Sequence, residues 1–252
     1  MAAQPADPSM ETTAPQASIT RERKLNVSLQ DELPKPHLAR AQAAVDKFHP
    51  KGTEGRETRG MSVLQRHASF DRNKDGSASC HVNNDSRSAA RLFSVCNGRA
   101  GLRAIGCNFF FSIMSAFLIN FGLSYTTQPG WLRSPLLSIN IRNIHRCKHG
   151  SDSETYDTEG RFEPSKFEAI FTKYAATNPD ALSKSELDTM LKANRNFTDF
   201  NGWLVSYPEW QLLYVLGEGE HGFLHRETVR EVYDGSLFEK LEKAGSSLSK
   251  RA

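Results

Sequence analysis

The chain is short of several things at once. It has four cysteines in 252 residues, Cys80, Cys96, Cys107 and Cys147. None forms a CxxC pair or a zinc spacing, and the chain is too long for a disulfide-stapled mini-domain. A reducing compartment is the simplest reading. An excess of one charge is lacking too. Lys and Arg number 32 against 29 Asp and Glu, and the resulting +3 is too weak to point to nucleic acid. Apolar residues make up only 38% of the chain, and the mean hydropathy is −0.53. The length suits one large domain or two small ones. The first residues, Met1 to Pro8, carry no basic region followed by an apolar run, so no secretory signal is read and synthesis begins in the cytosol. No Ser-His-Asp order, P-loop or dinucleotide motif is present, which argues against a hydrolase or a nucleotide enzyme.

One motif is itself incomplete. Asp71, Asn73, Asp75 and Gly76 fit positions 1, 3, 5 and 6 of an EF-hand calcium loop, and Ser77 offers a carbonyl at position 7. Position 8 is Ala78. Position 12, where a bidentate Glu belongs, is Val82. Asp71, Asn73, Asp75 and Ser77 are the candidate calcium ligands, and they fall short of the six to eight oxygens the ion takes. Binding weaker than the sensor range of roughly 10⁻⁷–10⁻⁵ M is expected, and titration calorimetry checks it. Residues 77–100 show neither a helical stripe nor alternation and read as an insertion.

The low average hydropathy hides one apolar stretch. From Ala104 to Leu132 there is no charged residue. Its heart, Phe109 to Ile119, is shorter than the about 20 apolar residues of a membrane span. Asn108, Ser112, Ser115 and Asn120 dilute it. Arg99 and Arg103 precede it, and Arg133, Arg142, Arg146 and Lys148 follow. Basic shoulders on both sides suit a segment dipping into a lipid surface. A buried core helix is the other reading of the same residues. Pro129-Gly130 and Ser134-Pro135 mark turns after it.

The remaining chain divides by pattern. Residues 1–60, rich in Pro, Ala, Thr and charge, read as mostly disordered, with a short helix around Leu38–Phe48. Residues 61–70 read as the helix entering the calcium loop. After residue 136 the pattern is helical. Pro164 suits a first helical position, and Phe167, Ile170, Phe171 and Tyr174 form a stripe. Ser183 and Glu186 make a capping box for the next helix. Helices over Trp203–Leu216 and Arg226–Tyr233 follow, the latter after a Gly222-Phe223-Leu224 cadence. These pairs resemble degenerate EF-hands without the acids for metal. The expected fold is therefore mainly α: an EF-hand-like N-terminal half, a central lipid-associated apolar helix or hairpin over 104–135, and a helical C-terminal domain over 136–252.

Taken in order, these pieces resemble the caleosin family of lipid-droplet proteins. The resemblance rests on Asp31-Glu32-Leu33-Pro34-Lys35-Pro36, Ser62-Val63-Leu64-Gln65-Arg66-His67, Asn143-Ile144-His145-Arg146, Lys148-His149-Gly150-Ser151-Asp152-Ser153, Tyr156-Asp157-Thr158-Glu159-Gly160-Arg161-Phe162 and Tyr233-Asp234-Gly235-Ser236-Leu237-Phe238. Three departures stand out: a single Phe70 before the first loop Asp, the lost loop end, and Ser138 where a third turn proline is expected. The resemblance implies a haem b peroxygenase with calcium as a second, weakened cofactor. It implies His67 and His149 as the catalytic and haem-binding residues, with His145 the nearest rival. The implied partners are a lipid droplet or membrane monolayer, fatty-acid hydroperoxides and unsaturated fatty acids. No nucleic acid is expected, and a homo-oligomer stays open. The implied location is the lipid droplet and endoplasmic reticulum membrane, facing the cytosol. A non-enzymatic coat or tether on the same surface is the alternative.

Overall fold

The computed structural model describes residues 35, 37–55, 60–68, 92–93, 101–105, 107–130 and 137–249. The candidate calcium ligands Asp71, Asn73, Asp75 and Ser77, and the Pro135 turn, lie outside these residues. The described part is mainly helical. Its elements are α1 (Val63–Ala68), β1 (Leu92–Phe93), α2 (Phe109–Thr127), β2 (Ile139–Asn140), a 3₁₀ segment (Ile141–Cys147), α3 (Pro164–Tyr174), β3 (Ala181–Ser183), α4 (Lys184–Ala193), α5 (Phe200–Gly217), β4 (Phe223–His225), α6 (Arg226–Asp234) and α7 (Ser236–Ser249). Two short antiparallel ladders tie them. Leu92 pairs with Asn140 and Phe93 with Ile139. Ala181, Leu182 and Ser183 pair with His225, Leu224 and Phe223.

The C-terminal half follows its local signals closely. Pro164 opens α3 at a position where the missing N–H costs nothing, and the helix buries Phe167, Ile170 and Phe171. Ser183 and Glu186 close the expected capping box on α4, which buries Leu187, Met190 and Leu191. Asp199 caps α5 by accepting from the Gly202 N–H at 2.9 Å. Gly235, at φ 78°, ends α6 in the left-handed region, and its N–H donates to the Val232 carbonyl. The β3–β4 ladder sets α3–β3–α4 and α5–β4–α6 as two helix–loop–helix units joined through their loops. Leu182 and Leu224 face one another there, both fully buried.

Between α3 and α4 the carboxylate of Glu186 gathers the loop around itself. One oxygen accepts from the N–H groups of Ala176 and Thr177, the other from the Ser183 N–H and hydroxyl. Desolvation opposes the charge, but these donors outweigh it and lower the carboxyl to about 2. The folded pKa therefore lies below the unfolded one. The stability Glu186 contributes is complete above about pH 4.5 and is lost as pH falls toward about 2. Glu186→Gln is expected to remove that part of the acid sensitivity, seen as a smaller fall in the urea midpoint over this range.

The N-terminal part departs from expectation. Residues 37–55, expected as mostly disordered, pack into the fold. Arg40 and Phe162 exchange both backbone hydrogen bonds, at 2.7 and 2.8 Å. Ala41, Ala44 and Val45 are buried, and Ala44 joins a core with Val63, Phe162, Trp210, Leu224 and Tyr233. No helix forms over 38–48. The segment takes its conformation from distant partners, to which composition is blind. Asp46, buried, accepts from the Phe48 and His49 N–H groups and faces the Arg226 guanidinium at 3.3 Å.

α2 carries the apolar stretch, and its orientation is the reverse of a soluble core helix. Its inward face is Ser112, Ala116, Asn120, Ser124 and Thr127, all fully buried. Its outward face presents Phe110 at 74% exposure, Leu118 at 61%, and also Phe109, Phe117, Ile119, Phe121 and Tyr125. The inward polar groups bond back along the helix, as in Ser112 to the Asn108 carbonyl at 2.7 Å and Asn120 to the Ala116 carbonyl at 2.8 Å. Thr127 fastens the C-terminal end: its hydroxyl accepts from the Asn140 N–H, and its carbonyl from the Asn143 amide. No helix among the described residues is long and apolar enough to cross a membrane.

Candidate functional site

His67 lies in the last turn of α1, which packs against both α6 and the 3₁₀ segment. Its Nδ1 stands 2.7 Å from the Val232 carbonyl. A carbonyl only accepts, so Nδ1 carries the hydrogen and Nε2 keeps its lone pair. Burial lowers the imidazole pKa, although the Val232 carbonyl and the Asp234 charge work in the opposite direction. The ring is neutral at physiological pH. Two aromatic rings stand edge-on to it, Phe238 at 5.6 Å and Tyr156 at 6.2 Å between centroids.

Tyr156 and Tyr233 brace this corner. The Tyr156 hydroxyl donates to the Tyr233 carbonyl, next in chain to the carbonyl that holds His67. The Tyr233 hydroxyl meets Ser153 Oγ at 2.7 Å. Burial raises both phenols, most strongly Tyr156, so both stay protonated. The last turn of α6 is thus held from two sides, by α1 and by the 153–156 segment.

His149 stands in a different setting. It follows the 3₁₀ segment rather than extending it, so His145 and His149 do not share a helix face. The 3₁₀ segment closes at Cys147, with the Lys148 N–H donating to the His145 carbonyl. His145 is buried, and burial with the Arg146 charge lowers its pKa. His149 Nδ1 lies 4.0 Å from Asp199 Oδ2 and is buried without a hydrogen-bond partner among the described residues. Asp199 is already engaged: Oδ2 accepts from the Gly150 and Ser151 N–H groups at 2.5 and 2.9 Å, while Oδ1 caps α5. Desolvation is overcome by these three donors, and the carboxyl sits below its usual range. Asp199 therefore anchors the loop that carries His149, a role legible beforehand only as a capping residue type.

Gly202 explains why α5 begins as it does. A Cβ there would lie 2.6 Å from the Cβ of His149 and 2.0 Å from Asp199 Oδ2. Gly202→Ala is expected to displace His149 and the Asp199 cap together, with a stability loss of about 1–2 kcal/mol from the cap alone. Urea unfolding measures the loss, and a shifted His149 ring resonance reports the displacement.

His67 bonds the Val232 carbonyl and His149 faces Asp199, and no group of three His, Cys, Asp or Glu able to hold a metal ion occurs among the described residues. A cleft of about 240 Å³ begins at Gly150, next in chain to His149, and is lined by Gly150, Asp152, Ser153, Lys166, Lys173 and Tyr174. It takes in neither histidine and is smaller than the roughly 300–1,000 Å³ of a pocket for a drug-sized ligand. A porphyrin does not fit that cleft. The donor chemistry at His67 suits an iron ligand: an imidazole with its Nδ1–H fixed on a carbonyl, which leaves Nε2 as the nitrogen that would ligate.

A mainly helical protein with a half-buried, oriented imidazole and an apolar helix turned outward is the class these features define. The family model described as Caleosin related protein matches residues 92–242, and the chain belongs to the caleosin family. A protein from Lilium longiflorum named Peroxygenase is 55% identical over 244 residues, 96% of each chain. Probable peroxygenase 4 of Arabidopsis thaliana is 48% identical over 187 residues, covering 74% of this chain and 88% of that one. A third relative, also from Arabidopsis thaliana and named a probable inactive peroxygenase-like protein, is 44% identical over 151 residues, covering 60% and 72%. No solved structure matches. The match begins at Leu92, so β1 falls inside it while the calcium loop falls outside.

Proposed function

We propose that this chain is a haem-dependent peroxygenase working at a lipid surface, with a fatty-acid hydroperoxide as oxygen donor and an unsaturated acyl chain as acceptor. The observation that carries the reading is the state of His67: neutral, its Nδ1–H committed to the Val232 carbonyl. Metal-bound histidines are oriented through their second nitrogen in this way, which fixes the tautomer and raises the basicity of the ligating one. The peroxygenase names of the Lilium longiflorum relative and of probable peroxygenase 4 support the enzyme over a non-enzymatic coat.

His67 would hold haem through Nε2, and the iron would supply the means of breaking the O–O bond. The overall transfer needs no external electrons. The hydroperoxide ROOH gives its terminal oxygen to the C=C bond, an epoxide forms, and ROH leaves. One proton moves from the terminal oxygen to the alkoxide oxygen. His149 is the residue we assign to that proton. Its Nδ1 has no hydrogen-bond partner among the described residues and lies 4.0 Å from the Asp199 carboxylate, which would face the ring during transfer. The lipid reading rests on α2, whose apolar face is outward and whose polar face is inward. Water gives no reason for that orientation, and hydrocarbon does.

Calcium belongs to the same proposal at the first loop only. Numbered as calcium loops with Leu182 and Leu224 at position 8, the two C-terminal loops place Glu186 and Thr228 at position 12. Thr228 offers no carboxylate, and both Glu186 oxygens already accept backbone N–H groups. The C-terminal pair then holds its shape without an ion.

The test is the absorption spectrum of full-length protein made with haem supply, alongside an assay of epoxide formed per hydroperoxide consumed. A Soret band with stoichiometric transfer supports the reading. Folded protein without a band, or hydroperoxide consumed without epoxide, removes it.

A further inference from the structure

The proposed lipid reading rests on α2, and α5, whose Trp210 and Tyr214 enter the core, also turns apolar residues outward. It buries Gly202, Ser206, Trp210 and Tyr214, spaced four apart on one face. It turns outward Phe200, Leu204, Val205, Tyr207 and Val215, with Leu204 at 57% and Val215 at 69% exposure. Phe197, just before the helix, is 88% exposed. Eighteen residues carry a single charge, Glu209. Glu209 is exposed, yet desolvation around its carboxyl and the like charge of Asp152 push it up to about 7.

The two helices meet through one apolar cluster. Ala116 of α2 and Leu216 of α5 belong to one packed cluster with Leu102 and Ile105. Cys147 is within 2.8 Å of the Thr126 hydroxyl of α2 and feels the charge of Glu209 on α5. Cations stand at the rims. The Arg195 guanidinium lies over the Trp203 ring at 4.3 Å and the Phe197 ring at 5.2 Å, beside the start of α5. Arg142 and Arg146 are exposed on the 3₁₀ segment, near the end of α2. Aromatic rings with cationic neighbours suit the headgroup level of a bilayer or monolayer.

We propose that α5 is a second lipid-docking helix, lying with α2 on an anionic phospholipid monolayer. The occupant of both faces is lipid, with Arg195 at the headgroup phosphates. The docked face would bring the loop that carries His149 to the surface where acyl substrates dissolve. This inference depends on the lipid reading of α2, and the experiment separates the two.

Full-length protein is floated with triacylglycerol droplets coated in phosphatidylcholine containing about a fifth phosphatidic acid. The variants are L204E/V215E on α5, F117E/L118E on α2, and R195E. All the apolar positions are exposed, so thermal melting should match the unaltered chain. L204S/V215S serves as a milder pair if the acidic pair melts early. The expected result is a drop in droplet-bound protein of about tenfold for each double variant. R195E should lose binding on anionic droplets and not on pure phosphatidylcholine. An α5 variant that floats like the unaltered chain, while the α2 variant does not, overturns the inference and leaves α2 standing. Failure of the unaltered chain to float overturns both. An α5 pair that turns a dimer into a monomer by light scattering, with flotation unchanged, makes the face a self-association surface and also overturns the proposal.

Discussion

His67→Ala is expected to yield folded protein without a Soret band and with turnover down by more than about a hundredfold. The fold should survive because the contact it removes is not the only one its partner makes. The Val232 carbonyl also accepts the Gly235 N–H at 2.9 Å, so it is not left bare. The loss in stability is one hydrogen bond plus the edge contacts with Tyr156 and Phe238, about 1–3 kcal/mol. His67→Gln sharpens the test, because its amide can still donate to Val232 but offers no imidazole nitrogen. If Gln restores stability without restoring the band, His67 is a ligand and not merely a strut. If His67→Ala keeps the band, the ligand lies elsewhere and the assignment falls. Spectral titration with haem and urea unfolding, run on the same preparations, give both readouts.

Arg226→Met is expected to cost about 3–5 kcal/mol, a large part of the stability of an ordinary domain. Arg226 is buried and faces three acids: Asp46, Glu168 and Asp180. Its guanidinium also lies over Phe171 at 4.8 Å and Phe167 at 5.3 Å. Methionine refills much of the volume but leaves buried Asp46 without its cation. The His49 ring, 3.0 Å from Asp46, covers only part of that loss. Adding Asp46→Asn should recover part of the stability, because removing both partners costs far less than removing one. The urea midpoint of the two single variants and the double variant gives the coupling directly. Proteolysis should cut first within 37–55, the segment that Asp46 fastens to α6. A double variant no more stable than R226M would mean that ring stacking dominates over the ion pair.

How much of this was legible depended on distance along the chain. The Phe167–Ile170–Phe171 stripe, the Ser183–Glu186 box and the helices around Trp210 and Val229 are written within a few residues, and the structure has them. The family resemblance, spread over short motifs, was legible too. The partner of His67 was not, because Val232 is 165 residues away and contributes only a backbone carbonyl, which any residue type supplies. Residues 37–55 misled for a related reason: alanines that fill space against Phe162 look the same as alanines in a disordered tail. Hydropathy told how apolar the α2 region is but not which way it faces. The decisive sign was the four-residue spacing of Ser112, Ala116, Asn120 and Ser124, which can be read only once the buried side is known. In α5 the Trp210 and Tyr214 face was legible and is buried, while the outward Leu204, Val205 and Val215 were not, because apolar residues carry no mark of which side they take.

The clasp between His67 and Val232 also has a consequence in time. Ribosomes add about 5–20 residues per second. With 165 residues between the two partners, α1 waits roughly 10–30 s for the carbonyl that orients its histidine. α2 emerges during that interval, before α5 and α6 exist. Its outward phenylalanines are therefore made before the imidazole is in place, so the lipid docking we propose would be open to a nascent chain.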